Sequence, residues 1–261
     1  MPELPDVEAI LKYLKATSLN KRLDTVKVLD SRIVKGNIRE LKHGLIGHCL
    51  QKAKRRGKFV ILKTDVPNYL IFHFGMTGYL RYFKNKRRIL LYTRVLFGFK
   101  NNYHLAYISQ RMLGGIWLTE YPEEIPTIAS MGPEPLDPNF TLEVFQERLR
   151  NRSKIIKALL MDQGFIAGIG NLYADEILFQ AGILPYRKAK DLNIKERARL
   201  YKKIKEVLKE ANKVNAEVWR LGHKFIIPHR YSDDICPRCG KDLESMSIGN
   251  RTSFFCPQCQ K

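Results

Sequence analysis

The sequence predicts an α+β chain with a strand-rich first half, a helical second half and a metal-binding ribbon at its end. Three observations carry this. From about residue 24 to 120 the chain is built of short β-branched and aromatic runs broken by turn residues. After residue 140 apolar residues recur at helical spacing. The last 26 residues hold four of the five cysteines, as C-P-R-C (236–239) and C-P-Q-C (256–259).

Before the strands, Val7, Ile10, Leu11 and Leu14 predict a leading helix over 6–17, with Pro5 suited to its first turn. The runs 59–63, 69–74, 79–83 and 89–92 read as strands. Many short strands with little helix point to a sandwich or barrel. Residues 121–139 hold five of the twelve prolines, a density that continues neither strand nor helix and reads as a linker. Beyond it, Thr141 is placed to cap a helix from Leu142. Ser153 is placed to cap one over 154–163, Asn171 one over 172–181 closed by Gly182, and Asp191 or Asn193 one running to about Val214. The resulting division is 1–120, a linker 121–139, a helical domain 140–215, and a loop with ribbon 216–261.

Lys and Arg number 46 against 26 Asp and Glu, a net charge of +20. Such a surplus favours a polyanion, whether nucleic acid or an anionic membrane surface, over a merely solvated face. No apolar run reaches the ~18 residues of a membrane span. With no export signal the expected location is the cytoplasm, with the nucleoid.

Two C-x-x-C knuckles sixteen residues apart suit one structural Zn²⁺ held by Cys236, Cys239, Cys256 and Cys259, with a hairpin between them turning at Gly249-Asn250. Two disulfides are the competing reading and need an oxidising compartment. Cys49 reads as a small buried hydrophobe. Gly168-Ile-Gly170-Asn171 is either a plain interhelical turn or a phosphate site at a helix N-terminus. The basic run upstream (Arg148, Arg150, Arg152, Lys154, Lys157) is either its electrostatic partner or a solvated face. Removal of Met1 would leave Pro2 as a secondary amine. An α-amine has a pKa near 7.7–8.0, so an unprotonated fraction is available as a nucleophile, with Glu3 adjacent to move protons.

The opening M-P-E-L-P-D-V-E resembles the formamidopyrimidine-DNA glycosylases, as do R-R-G-K (55–58), H-F-G-M-T-G (73–78), G-P-E-P-L (132–136), L-M-D (160–162), G-I-G-N-L-Y-A-D-E-I-L-F (168–179) and the ending N-R-T-S-F-F-C-P-Q-C-Q-K. The resemblance spans nearly the whole chain in order. It implies an N-terminal β-sandwich with a leading helix, then a helix-two-turn-helix domain and zinc finger, with DNA between the halves. It further implies a monomeric base-excision-repair enzyme with no organic cofactor, acting on damaged or abasic duplex DNA. By resemblance Pro2 attacks the sugar C1′ to form an imine, Glu3 assists ring opening, Lys58 serves β-elimination and Arg251 δ-elimination. Asn171, Arg152 and Lys154 are expected to contact DNA. Met76 and Leu113 are expected to wedge into the stack, and Arg111 to meet the orphaned base.

Three departures bear on substrate choice. S-Q-R-M-L-G (109–114) stands where the family has D-P-R-R-F-G, so Met112 replaces an arginine and Leu113 a phenylalanine. A histidine-rich segment expected before the strand at 95–99 is absent. The stretch 213–235 lacks the family's Gly-Thr-rich lid. Ring-opened formamidopyrimidines are the first expected substrate and 8-oxoguanine the second; oxidised pyrimidines come third. The alternatives are a lyase directed at abasic sites, a non-catalytic damage-binding protein on the same scaffold, or an RNA-binding zinc-ribbon factor.

Overall fold

The computed structural model describes residues 1–84, 89–230 and 235–261. The chain falls into two compact units, one formed by 1–2 and 6–130 and the other by 3–5 and 131–261.

The first unit is a two-sheet sandwich. Helix α1 (Leu4–Thr17) leads into β1 (Leu23–Val28), α2 (Ile38–His43), β2 (Leu50–Arg56), β3 (Phe59–Thr64), β4 (Tyr69–His73), β5 (Tyr79–Phe83), β6 (Thr93–Phe99), β7 (His104–Ile108) and β8 (Gly115–Thr119). One antiparallel sheet has the order β1-β6-β7-β5 and the other β2-β3-β4-β8. Alternate residues of the two inner faces make one core: Val26, Val95, Phe97 and Tyr107 against Val60, Leu62, Phe72 and Ile116, with Val7, Leu11 and Leu14 of α1. Phe72 meets the Phe97 ring edge-on and stacks on Tyr107, each at 5.9 Å between centroids.

Residues 89–92 are not a strand. They form a turn in which Tyr92 adopts φ +61°, a left-handed backbone that ends extended pairing, and β6 begins at Thr93. The proline-rich stretch holds two single turns, Pro122–Glu124 and α3 (Pro126–Ala129), each opened by a proline at a position where the missing N–H costs nothing. Cys49 is half-buried rather than buried, at an isolated bridge with Arg22.

The second unit contains α4 (Leu142–Leu149), α5 (Ile156–Leu160), α6 (Asn171–Ala181), α7 (Ile194–Lys213) and the hairpin β9 (Glu244–Ile248) and β10 (Arg251–Phe255). Thr141 caps α4 through the Val144 N–H. Asn193 and Glu196 form a reciprocal capping box on α7. Gly182 closes α6 at φ +63°. Ser153 caps nothing: α5 starts at Ile156. Part of the shortened 213–235 stretch, residues 231–234, lies outside the described residues; the rest forms the turns Val218–Arg220 and Ile227–His229. Among the described residues, no helix is long and apolar enough to cross a membrane.

Candidate active site

Glu3 is the best-determined side chain of the site. It is 4 % exposed, and its carboxylate accepts three backbone N–H groups at the start of α6. These are Gly170 N–H at 2.8 Å, Leu172 N–H at 2.8 Å and Tyr173 N–H at 3.2 Å. The Leu4 N–H adds a 2.9 Å bond to the Gly168 carbonyl. The positive end of the helix dipole and the unpaired first-turn donors suit a carboxylate here. This corrects two sequence expectations. The Gly170, Leu172 and Tyr173 N–H groups are not free for phosphate, because Glu3 occupies them. Nor does Asn171 cap α6: it is the first helical residue, and Gly170 holds the cap position. Gly170 is required sterically, since a Cβ there would sit 2.4 Å from Glu3 Cδ. Pro2 precedes this fixed carboxylate by one peptide and is half-buried.

Lys58 lies in the two-residue turn between β2 and β3 and is 6 % exposed, against the expectation for an ordinary strand-end lysine. Gly57 supplies φ +53° at that turn. Arg55 braces it, donating to the Gly57 carbonyl and to Glu8, each at 3.0 Å. Burial, with the Lys58 charge adding to it, pushes the His73 imidazole down to about 4.

Met76, Arg111 and Leu113 come together at one end of the sandwich. The Arg111 N–H donates to Thr77 Oγ1 at 3.1 Å, tying the 109–114 loop to the turn that carries Met76. Gly75, at φ +57°, lets the strands meet: a Cβ would fall 2.4 Å from the Leu113 carbonyl carbon. Leu113 is 56 % exposed, whereas Met112, at φ +51°, turns inward onto the core.

Arg251 opens β10 beside a type I′ turn whose central residues, Gly249 and Asn250, both have φ +58°. The hairpin is held on α6. Asn171 Nδ2 donates to the Thr252 carbonyl at 3.0 Å and the Phe254 N–H donates to Asp175 at 3.1 Å. Asp175 in turn carries two buried cations, Lys157 at 2.6 Å and Arg230 at 3.0 Å. Lys157 also donates to Ser253 Oγ, and Arg230 lies over the Phe254 ring at 5.0 Å. Burial pushes Asp175 up and Lys157 down; the close contacts hold them as a pair. A hollow of about 330 Å³ opens beside this assembly, lined by Asn171, Arg230, Asn250, Arg251, Thr252 and Phe254. Among the described residues the buried Asn171 Oδ1 has no hydrogen-bond partner.

The upstream basic run therefore does not act as one face. Lys157 is a core group of this clamp. Arg148 donates to the carbonyls of Gly164 and Phe165. Lys154 pairs with Asp162 at 3.0 Å, and Arg150 and Arg152 are exposed. Sequence reasoning missed Asp175 and Arg230; the one available signal was Asp175 four residues after Asn171, on the same helix face.

The four ribbon cysteines bring their Sγ atoms within 4.8 Å of one another. The Cys236–Cys259 and Cys239–Cys256 separations are 3.8 and 3.5 Å, far from a disulfide bond and close to the ~3.8 Å edge of a tetrahedron with ~2.3 Å Zn–S bonds. They suit one structural zinc with no open coordination position. Gln260 anchors the ribbon, accepting from the Cys256 N–H at 2.8 Å and donating to the Ile183 carbonyl at 2.7 Å. Cys239→Ser is expected to abolish stoichiometric zinc binding and lower DNA affinity at least tenfold, measured by metal analysis and titration with duplex. Full zinc content in that variant would refute the four-thiolate site.

Residues 1–116 match the formamidopyrimidine-DNA glycosylase N-terminal domain, 131–221 the H2TH domain of the same enzymes, and 235–261 the zinc finger found in FPG and IleRS. The chain is 35 % identical to a formamidopyrimidine-DNA glycosylase of Pelotomaculum thermopropionicum, over 100 % of this chain and 99 % of that one. The chain belongs to the formamidopyrimidine-DNA glycosylase family. A Protochlamydia amoebophila member is 33 % identical, each chain covered in full. Among solved structures, Lactococcus lactis Fpg in complex with DNA containing an abasic site superposes with a TM-score of 0.90 at 27 % identity, covering 99 % of each chain. MutM in complex with DNA containing carbocyclic 8-oxo-G gives 0.90 at 29 % identity, with full coverage of both.

Proposed function

We propose that this member of the family is a bifunctional DNA glycosylase and abasic-site lyase, removing oxidised purines from duplex DNA. The observation that carries the reading is the Glu3 carboxylate, clamped by three N–H groups from a helix far along the chain. A carboxylate fixed so tightly one peptide from Pro2 is a preorganised proton-transfer group beside a nucleophile. In this reading the target nucleotide leaves the stack, and Met76 and Leu113 fill the gap while Arg111 meets the partner base. The Pro2 nitrogen, freed of Met1, bonds to C1′ as the bond from C1′ to the base breaks. The proton lost from the Pro2 nitrogen passes through the Glu3 carboxylate to the ring oxygen, so the sugar opens to an imine in its cationic form, and the departing base anion takes a proton from solvent. The imine acidifies the C2′ proton, so the 3′ phosphate leaves by β-elimination, with Lys58 at that phosphate. The 5′ phosphate then leaves by δ-elimination, with Arg251 beside it. Asn171, Arg152 and Lys154 hold neighbouring phosphates.

Formamidopyrimidines rank above 8-oxoguanine as substrates. Leu113 stacks less well than an aromatic ring, which weakens selection of the partner base more than it weakens cleavage. The test is borohydride trapping on duplexes carrying an abasic site, a formamidopyrimidine or 8-oxoguanine. The native chain is expected to form a covalent adduct at Pro2. Pro2→Gly is expected to lose trapping at least 100-fold while keeping DNA affinity. Undiminished trapping in Pro2→Gly removes Pro2 from the mechanism, and no adduct from a chain shown to begin at Pro2 favours a non-catalytic damage binder.

A further inference from the structure

We infer that Arg94 is a positioning residue for selection of the partner base: it fixes the backbone of the 109–111 loop, so that Arg111 is in place before DNA arrives. The inference rests on the proposed reading in taking Arg111 as the group that meets that base.

Two irregularities of the backbone around the start of β6 converge on one residue of that loop. Tyr92 takes φ +61°, a conformation unfavourable for a bulky side chain, and its carbonyl accepts the Ser109 N–H at 3.0 Å. Two residues on, the pairing of β6 with β7 slips. Thr93 is opposite Ile108 and Val95 opposite Tyr107, so Arg94 is the extra residue of a β-bulge. A bulge bends its strand and re-aims a side chain. Here Arg94 Nε donates to the Ser109 carbonyl at 2.7 Å and Nη2 to the Gln110 carbonyl at 3.4 Å. Its Nη1 meets the Asp30 carboxylate at 3.3 Å. The Arg94 main chain is fixed too, because its carbonyl accepts the Leu29 and Asp30 N–H groups at 2.8 and 3.1 Å. One planar guanidinium therefore spans from Asp30 to the loop with all three nitrogens engaged, a reach that the single ammonium of a lysine lacks.

The far side of the loop is tied as well. Ser109 is fully buried, and its Oγ accepts the Met112 N–H at 3.1 Å. The Arg111 N–H is taken by Thr77. Arg111 thus stands between two ties, with its own side chain exposed. Unfavourable backbone persists where its surroundings over-determine it, and it clusters at functional sites. A loop fixed in advance also loses less freedom on binding than a mobile one, so Arg111 is set against one base at a defined place.

The test measures release of a formamidopyrimidine placed opposite dC and opposite dA in otherwise identical duplexes. It uses the full-length zinc-loaded chain and the variants Arg94→Ala, Arg94→Lys and Arg111→Ala. Arg81→Ala, at an exposed arginine of β5 in the same sheet, is the control for lost charge. Arg111→Ala is expected to lower the native preference between the two partner bases at least about fivefold. Arg94→Ala is expected to lower it at least about threefold, while borohydride trapping on an abasic-site duplex stays within about threefold of native. Arg94→Lys keeps a cation beside Asp30, which guards the fold, and is expected to behave as Arg94→Ala because it cannot span the same groups. In both Arg94 variants hydrogen exchange of the 109–113 amides is expected to speed up at least about tenfold, with the amides of β6 and β7 unchanged. Arg81→Ala keeps the native preference and exchange. A native preference in either Arg94 variant, or unchanged exchange at 109–113, overturns the inference. So does an equal loss of release opposite both bases and of trapping, which would make Arg94 merely structural, and so does a control that loses as much. A native chain indifferent to the partner base, or Arg111→Ala with the native preference, overturns the reading of Arg111 and the inference with it. A lowered preference in Arg111→Ala beside a native one in the Arg94 variants counts against the inference alone.

Discussion

Gly170→Ala is expected to lower base release and strand cleavage by about 10²–10⁴-fold with little loss of folded protein. The atoms nearest the new Cβ are all of the Glu3 side chain, Cδ at 2.4 Å and Oε1 at 2.5 Å, and the backbone at Gly170 is extended, at φ −130°, which alanine adopts freely. The carboxylate must therefore leave its three N–H partners. The expected loss is that of a positioned proton-transfer group, compounded by a shift of Pro2, which is bonded to Glu3. Leaving those donors without a protein partner costs about 1–3 kcal/mol, a fall in melting temperature of a few degrees for a unit of this size. Rates on an abasic-site duplex, melting temperature and trapping yield separate the outcomes. Near-native rates would mean that Glu3 acts equally well unclamped, and a collapsed melting transition would mean that the clamp is chiefly structural.

Asp175→Asn is the second large effect. It removes the carboxylate that pairs with both Lys157 and Arg230 and takes its charge from two buried cations, a change that costs about 3–5 kcal/mol. The loss falls on one place, because the same carboxylate accepts the Phe254 N–H of β10. The expectation is a hairpin that keeps its zinc, since no cysteine is touched, but no longer holds Arg251 on α6. Zinc content stays at one per chain, the melting temperature drops by about 10 °C, and the cleavage products shift from β,δ- to β-elimination. A triple change to apolar residues, Lys157→Met/Asp175→Leu/Arg230→Met, is expected to recover much of the stability but not the δ-product, because burying no charge is cheaper than burying an unpaired one. A variant Asp175→Asn with native melting and native products would show that the clamp carries no weight.

Much of the fold was legible because its signals are local. Thr141, Asn193 and Gly182 work as a cap, a capping box and a left-handed stop using residues within four positions of themselves. Gly249-Asn250 likewise needs nothing beyond its own turn. The failures were non-local. Asn171 looked like a cap, but a carboxylate 167 residues from Gly170 takes the helix N-terminus. Lys157 looked like one of five surface cations, yet it is buried because its partner, Asp175, sits on another helix. The strand expected at 89–92 failed for a local reason that composition hides: Tyr92 takes a left-handed backbone. Chemistry-bearing residue types could be read from the chain, but not the contacts that fix their geometry.

The attachment of residues 3–5 to the second unit sets a schedule for biosynthesis. Glu3 is synthesised 167–170 positions ahead of the N–H groups that receive it. At about 5–20 residues per second, the amino-terminal peptide waits on the order of 10–30 s before it has anywhere to dock. Throughout that interval the residues around Glu3 stay undocked. Any processing that exposes the nucleophile proposed above, Pro2, has that interval in which to act before the neighbouring carboxylate is docked, and a fragment ending ahead of α6 would be left with Glu3 unanchored.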